Sequence, residues 1–122
     1  MASNRKHHEL YVWQEAISLV KELYKVTKKF PQDELYVLTS QMRRAAISIP
    51  SNIAEGAART SKREFLQFLS IARGSLSELE TQIIIAKELG YITDDSSLMT
   101  HVERVFALLG GLIKSIRSGD KK

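Results

Sequence analysis

The chain has 122 residues, of which 43% are hydrophobic and 26% charged. This is enough for one domain with its own core and is not the composition of a disordered protein. There is no cysteine, which excludes disulfides, thiolate metal sites and cysteine nucleophiles. The net charge of +4 and the isoelectric point near 9.4 permit an acidic partner without requiring one.

The first ten residues are polar and charged and lack the apolar core of a signal peptide. The longest apolar run, residues 106–113, has eight residues and includes two glycines. A membrane-spanning helix needs about 20 apolar residues. We therefore expect a cytoplasmic protein without a membrane partner. It should form a single domain over residues 1–122, with an ordered core at about 8–118.

Helical periodicity covers nearly all of residues 8–118, and strand-like alternation is missing. The first helix is predicted over residues 8–29 and ends before Pro31, because a proline disfavours the helical conformation of the preceding residue. Two apolar rows give this helix a wider apolar arc than one helix–helix contact needs. The rows are Trp13, Ile17, Val20, Tyr24 and Thr27, and Ala16, Leu19, Leu23, Val26 and Phe30.

The second helix is predicted over residues 33–58, with Asp33 as its N-cap. Pro50 lies inside this pattern. It removes one backbone donor and crowds the carbonyl of Ala46, so we expect a kink, with a complete break as the alternative. The apolar row of this helix is Leu35, Leu38, Met42, Ala45, Ile49, Ile53 and Ala57.

The third helix has the clearest boundaries. Ser61 followed by Glu64 is typical of a capping box, in which each side chain accepts from the backbone amide of the other residue. Gly90 is placed to end the helix as its C′ residue. Apolar residues between these limits keep a strict four-three spacing, which favours a left-handed bundle contact. They are Phe65, Leu69, Ala72, Leu76, Leu79, Ile83 and Ala86.

The fourth helix should start at an N-cap formed by Asp94 or Asp95. We interpret Gly110 and Gly111, in its interior, as positions of close contact with a neighbouring helix. Its apolar row is Leu98, Val102, Val105, Leu109, Leu112 and Ile116. Four such helices with short connections predict an all-α, up-down-up-down antiparallel four-helix bundle.

The bundle interior does not account for all the apolar residues. Monomeric proteins rarely expose large apolar patches, so self-association is favoured over a monomer, with an isologous dimer as the default. The residues in excess are Tyr11, Val12, Leu66, Phe68, Ile71, Ile84 and Ile85.

The sequence offers no catalytic apparatus. The three histidines, His7, His8 and His101, are not preceded by glutamate at the spacing of a di-iron bundle site, so we expect no metal and no cofactor. A nucleophile elbow and phosphate-binding glycine loops are missing. So is the arginine followed closely by histidine that a helical-bundle RNase would need. We therefore predict that the protein is not an enzyme.

Basic residues concentrate at one end of the predicted bundle, where the start of the first helix, the second turn and the end of the fourth helix meet. Such an end is typical of phosphate binding, although a solvated charged surface is an equal alternative. No aromatic residue is interleaved, which favours backbone contact over base stacking. The candidates are Arg5, Lys6, Arg59, Lys62, Arg63, Lys114 and Arg117, with Lys121 and Lys122 beyond them; the opposing acids are Glu9, Glu55, Glu64 and Asp120.

Residues 41–56, with the sequence QMRRAAISIPSNIAEG, are distinctive. They resemble the hallmark of the four-helix bundle proteins encoded in intervening sequences of bacterial 23S ribosomal RNA genes. The similarity extends to residues 12–14, 30–31, 65–72, 74–75, 78–80 and 89–91 and covers about residues 10–115. The motif maps onto Gln41, Arg43, Arg44, Ser51, Asn52, Glu55 and Gly56.

This resemblance implies a homopentamer, which would replace the dimer and bury the apolar excess. A related protein, the accessory variability protein of diversity-generating retroelements, is a basic pentameric barrel that binds nucleic acid and a reverse transcriptase. The family itself has no firmly assigned activity. We interpret the motif as structural, with Arg43 or Arg44 paired to Glu55 and with Asn52 bonded to backbone opened by Pro50. A ligand site is the alternative.

The expected function is therefore that of a non-enzymatic, self-assembling bundle that binds the RNA or DNA backbone. The alternative is a scaffold for a protein partner, such as a reverse transcriptase or an RNA-processing enzyme, without direct nucleic-acid binding.

Overall fold

The computed structural model describes residues 5–119. Within this range the chain forms four helices, α1 (Tyr11–Thr27), α2 (Ser40–Ala57), α3 (Lys62–Glu88) and α4 (Ser96–Ser118), and no strand. Each helix packs on the next, and α1 also packs on α4, so the four close into a ring around one core. The predicted four-helix bundle is confirmed.

The core uses one apolar row from each helix. On α2 and α3 these are the predicted rows, buried from Met42 to Ala57 and from Leu69 to Ala86. On α1 the buried residues are Ala16, Leu19 and Leu23 of one predicted row and Thr27 of the other, while Trp13, Val20, Tyr24 and Val26 are half-buried and Ile17 is exposed. Val12, predicted to lie outside the core, is buried. That prediction was wrong because Val12 precedes Ala16 by one turn and shares its face.

The core row of α4 changes register near its end. Leu98, Val102, Val105 and Leu109 are buried as predicted, but the next core residue is Ile113, while Leu112 and Ile116 are half-buried. A straight helix drifts by about 20° per heptad against a strict seven-residue repeat. Over the two heptads from Leu98 to Leu112 the drift reaches about 40°, which takes Leu112 to the edge of the buried face.

The segment between α1 and α2 differs from the predicted simple helix start. A 3-10 turn (Gln32–Glu34) leads into a π-helical turn (Leu35–Thr39) that continues into α2. Glu34, not Asp33, provides the cap, because its Oε1 accepts from the Leu38 amide at 3.4 Å. The hydroxyl of Tyr91 holds the same carboxylate at 2.7 Å, which raises the pKa of Tyr91. The side chain of Glu34, which is one methylene longer than that of Asp33, reaches both the Leu38 amide and the Tyr91 hydroxyl.

Pro50 does not interrupt α2, which is continuous across it, so the alternative of a complete break was wrong. Next to the proline, the Asn52 amide donates to the Ser48 carbonyl at 2.8 Å and to the Ser48 hydroxyl at 2.9 Å. Ser48 in turn bonds Ser75 of α3 at 2.9 Å. Asn52 thus bonds the helix backbone as predicted, with Ser48 as acceptor, while the bend itself stays a prediction.

The ends of α3 are capped much as expected. The Ser61 hydroxyl accepts from the Glu64 amide at 3.1 Å, but the Glu64 carboxylate meets that hydroxyl at 3.4 Å, so the capping box is only half formed. At the other end, Gly90 has φ +82°. Its amide bonds the Lys87 carbonyl at 3.0 Å, and the Tyr91 amide bonds the Ala86 carbonyl at 2.9 Å. These are the two bonds of a Schellman motif.

Asp94 provides the side-chain cap of α4. Its Oδ1 accepts from the backbone amide of Ser96 at 3.0 Å and from the Ser96 hydroxyl at 2.7 Å. Both bonds stabilise the carboxylate and hold the pKa of Asp94 below its ordinary value of 3.8. Asp95 instead pairs with Lys87 at 3.3 Å.

The close helix contact predicted at Gly110 and Gly111 occurs elsewhere. A Cβ at either of these positions would have open space around it. A Cβ on Gly56 of α2 would lie 2.8 Å from the Cβ of Phe68 and 3.0 Å from a ring carbon of Phe65, both on α3. The α2–α3 pair also has the most extensive contact of the bundle. Gly56 therefore sets how closely these two helices approach.

Gly56→Ala should destabilise the bundle, and Gly74→Ala should not. Both gain about 0.5–1 kcal/mol of helix propensity, but only the Cβ at position 56 meets the neighbouring helix, at a cost of about 1–3 kcal/mol. Urea unfolding at one fixed protein concentration measures both. Equal free energies of unfolding for the two variants would contradict the close approach.

Asp94→Ala should lower stability at pH 7, and the difference from wild type should shrink as the pH falls below about 4. A carboxylate whose pKa is depressed by folding contributes stability above its unfolded pKa and loses it as pH falls through the folded value. Asp33→Ala, which removes no cap, is the control. Thermal unfolding at pH 7 and pH 2.5 tests this, and a difference of the same size at both values would contradict it.

Candidate functional site

The motif at residues 41–56 presents two sides. Arg43, Asn52 and Gly56 are partly or fully buried: Arg43 bonds α1, Gly56 meets α3, and Asn52 bonds Ser48, which in turn bonds Ser75 of α3. The remaining members are solvent-exposed: Gln41, Arg44, Ser51 and Glu55. A structural role therefore accounts only for the residues on the inner side of the motif. The outer side is available for contact with another molecule.

Arg43 joins α2 to α1. Its Nε donates to the Thr27 hydroxyl at 3.0 Å, and its guanidinium lies over the Tyr24 ring at 4.4 Å. The predicted pairing of Arg43 or Arg44 with Glu55 was wrong, because residues 11–12 positions apart on one helix are separated by about 16–18 Å. Glu55 is instead bonded to Arg59, one turn further on, at 2.8 Å.

The α2–α3 turn carries three basic residues, Arg59, Lys62 and Arg63, all exposed. The Arg59 guanidinium is held by Glu55 and lies 4.8 Å from the centre of the Phe68 ring. Lys62 and Arg63 occupy the first turn of α3, where the helix dipole is already positive. This turn therefore carries three basic residues, with Glu55 and Glu64 as the acidic residues beside them.

The other predicted basic residues are exposed on the neighbouring elements. Arg5 and Lys6 precede α1, and Lys114 and Arg117 lie in the last turns of α4. Lys121, Lys122 and Asp120 lie outside the described residues. The start of α1 borders the second half of α4 and contacts α2, as the predicted topology requires. Nucleic-acid binding by these residues stays a prediction.

An apolar groove runs between α1 and α2. We call it the α1–α2 groove; it has a volume of about 320 Å³ and is lined by Trp13, Ile17, Val20, Ile47, Pro50 and Ala54, with His7 and Ser51 at its edge. Burial, followed by the charges of His8 and Arg5, lowers the pKa of His7 below 6.5. The lowered pKa favours the neutral form of His7 beside this mainly apolar groove.

A polar cluster that the sequence did not predict lies between α1 and α4. His101 Nδ1 lies 2.8 Å from Glu22 Oε1, and His101 Nε2 lies 3.2 Å from Glu15 Oε1 without the alignment of a hydrogen bond. Ser97 donates to Glu22 at 2.8 Å, and Arg104 reaches Glu15 at 3.4 Å. The spacing signals it: Ser97, His101 and Arg104 share one face of α4, and the two glutamates are one heptad apart on α1.

This cluster borders an open pocket of about 340 Å³ but does not form a chain from nucleophile to base. The Ser97 hydroxyl donates to Glu22, so the imidazole of His101 does not activate it. The cluster instead holds α1 against α4.

Within residues 5–119, no group of three or more histidine and carboxylate side chains could hold a metal ion. No helix in that range is long and apolar enough to span a membrane.

A family model described as "23S rRNA-intervening sequence protein" matches residues 8–111. A search of the curated proteins finds no significant match. The match covers most of the chain, so this protein belongs to the 23S rRNA-intervening sequence protein family, as the motif at residues 41–56 indicated.

Glu22→Ala should lower the free energy of unfolding by about 1–3 kcal/mol, because it leaves His101 and Ser97 without their shared acceptor. Glu103→Ala, at an exposed glutamate of α4, should change it by less than about 0.5 kcal/mol. Urea unfolding at pH 7 and equal protein concentration makes the comparison. A Glu22 variant as stable as the Glu103 variant would exclude a structural role for the cluster.

Proposed function

We propose that this family member is a non-enzymatic, self-assembling four-helix bundle that binds the phosphate backbone of RNA or DNA through one basic end. The observation that carries the proposal is the α2–α3 turn, where Arg59, Lys62 and Arg63 are exposed within five residues. Two of them lie at the positive end of a helix dipole, an arrangement that an anion would stabilise.

Self-assembly would multiply this charge. The family resemblance implies a homopentamer, and five copies of a chain with net charge +4 carry about +20, a much stronger field than that of one chain. Exposed isoleucines on three helices support association: Ile17, Ile47, Ile71 and Ile85 are each 38–48% exposed. We place the assembled protein in the cytoplasm, in keeping with an RNA or DNA partner.

The absence of enzymatic activity is part of the proposal. In the polar cluster around His101, the carboxylates of Glu15 and Glu22 hold α1 and α4 together. Arg59 likewise makes structural contacts, because its guanidinium pairs with Glu55 and lies over the Phe68 ring. Detectable cleavage of RNA by the purified protein, abolished by His101→Ala, would overturn this part.

Replacing Arg59, Lys62 and Arg63 by glutamine should weaken RNA and DNA binding at least about tenfold. The slope of log affinity against log salt should become shallower by about 2–3, because up to three phosphate contacts are lost. The control replaces Lys25, Lys28 and Lys29, which lie in and just after the last turn of α1 and are also exposed. It removes the same charge from the opposite end and should weaken binding less.

Electrophoretic mobility shifts at 50 and 200 mM salt, with circular dichroism to confirm folding, make this comparison. Equal losses in both variants would mean that net charge, not the basic end, governs binding. No binding by wild-type protein at low salt would reject the nucleic-acid proposal.

The alternative of a scaffold for a protein partner has its own supporting observation. Tyr36, Val37 and Leu89, at the end opposite the basic turn, are 88%, 55% and 54% exposed. Apolar side chains this exposed are suited to a protein contact. Pull-down of a reverse transcriptase or RNA-processing enzyme separates the two functions. Charge removal at Arg59, Lys62 and Arg63 would leave capture by a scaffold unchanged while nucleic-acid binding is lost.

A further inference from the structure

The outer surface of the bundle carries two unpartnered apolar features on different helices. The first is the α1–α2 groove, whose floor includes Ile17 and Ile47, 38% and 44% exposed. The second is a row on α3 made by Ile71 and Ile85, 48% and 43% exposed, with Glu78 midway between them. The three row residues are spaced by seven and therefore lie on one face of α3.

The charges beside these features are opposite in sign. Lys21 follows Ile17 by one turn of α1, and Arg44 precedes Ile47 by one turn of α2. Because the two helices are antiparallel, both basic residues lie beyond the same end of the α1–α2 groove. Both are exposed. On α3, Glu78 is exposed, and its hydrogen bond within residues 5–119 is a long 3.4 Å contact with the Gln82 amide.

The spacing of the two patterns also agrees. Glu78 follows Ile71 by seven residues, a rise of about 10 Å along α3. Lys21 and Arg44 lie about one turn, roughly 5 Å, beyond the isoleucines of the groove floor. An Ile71 seated one turn further into the groove, level with Trp13 and Pro50, would therefore bring Glu78 level with Lys21 and Arg44. The apolar contact in the groove and the ion pairs of Glu78 with Lys21 and Arg44 can therefore form at the same time.

We infer that the α3 row of one copy seats in the α1–α2 groove of a second copy, with Glu78 facing Lys21 and Arg44. This inference rests on the proposed self-assembly and specifies its interface. The contact joins two different surfaces and is therefore heterologous, which generates a ring when the rotation between copies closes. It replaces the isologous dimer that the apolar excess alone would favour.

A mixing experiment tests the heterologous contact. Ile47→Asp damages the groove and Ile71→Asp damages the row, so each variant alone should lose assembly, with a rise of at least about tenfold in the protein concentration at half-assembly. Each variant keeps the surface that the other lacks. Their equimolar mixture should therefore form a one-to-one dimer by light scattering, whereas an interface in which the groove meets a second groove, or the row a second row, would not be restored by mixing.

Ile84→Asp is the matched control. Ile84 is the same residue type on the same helix and is also 48% exposed, but it lies about 140° around α3 from Ile71. It should assemble like wild type. Loss of assembly in the Ile84 variant with an unaffected Ile71 variant would overturn the inference and assign the contact to the other face of α3.

A charge exchange tests the same contact without placing a carboxylate in apolar surroundings. Glu78→Lys and the pair Lys21→Glu with Arg44→Glu should each weaken assembly about tenfold or more, and combining all three substitutions should restore it. Wild-type protein that is monomeric at every concentration would reject the proposed self-assembly itself. An assembling wild type whose mass none of these variants changes would reject only this interface.

Discussion

The close approach of α2 and α3 at Gly56 positions much of the remaining structure. With no side chain on Gly56, the backbone of α2 reaches the Phe65 and Phe68 side chains of α3 directly. This contact brings Phe68 under the Arg59 guanidinium and Ser75 within hydrogen-bond distance of Ser48. The basic α2–α3 turn is therefore held at both sides. The basic side chains of this turn therefore extend from backbone that is held in place by helix contacts.

Polar side chains fix how the other helices meet. Two apolar helix faces can pack at several relative positions of the helices. A hydrogen bond between the helices, which requires a fixed distance, selects one of these positions. Arg43 with Thr27 joins α1 and α2, and Glu22 with His101 joins α1 and α4. Glu34 with Tyr91 ties the start of α2 to the connection between α3 and α4. These bonds join residues that are 16, 79 and 57 positions apart, respectively.

The proposed functions use different surfaces of one rod-like bundle. Contact between the α3 row and the α1–α2 groove is lateral, so it leaves the ends of the helices open. In a ring built from such contacts, the basic end of every copy points the same way. Positive charge from the Arg59 to Arg63 turns would then collect on one face of the ring. Assembly and phosphate binding become two consequences of one arrangement.

The sequence alone determined the number of helices, the core rows of α2 and α3, the family, and which helix ends carry basic residues. These properties follow from local periodicity, capping residues and chain order, all of which are visible along the chain. The end of α3 at Gly90 belongs to this group, because its Schellman bonds join residues only a few positions apart.

Only the tertiary structure decided which glycine allows close packing, which carboxylate pairs with which base, and which face of each helix meets solvent. Gly56, Gly74, Gly110 and Gly111 look alike in sequence, but only at Gly56 does a neighbouring helix occupy the space of a Cβ. Likewise, Glu22 meets His101 from 79 positions away. Such pairings depend on helix rotation and register, which the packing of all four helices sets together and no local pattern records.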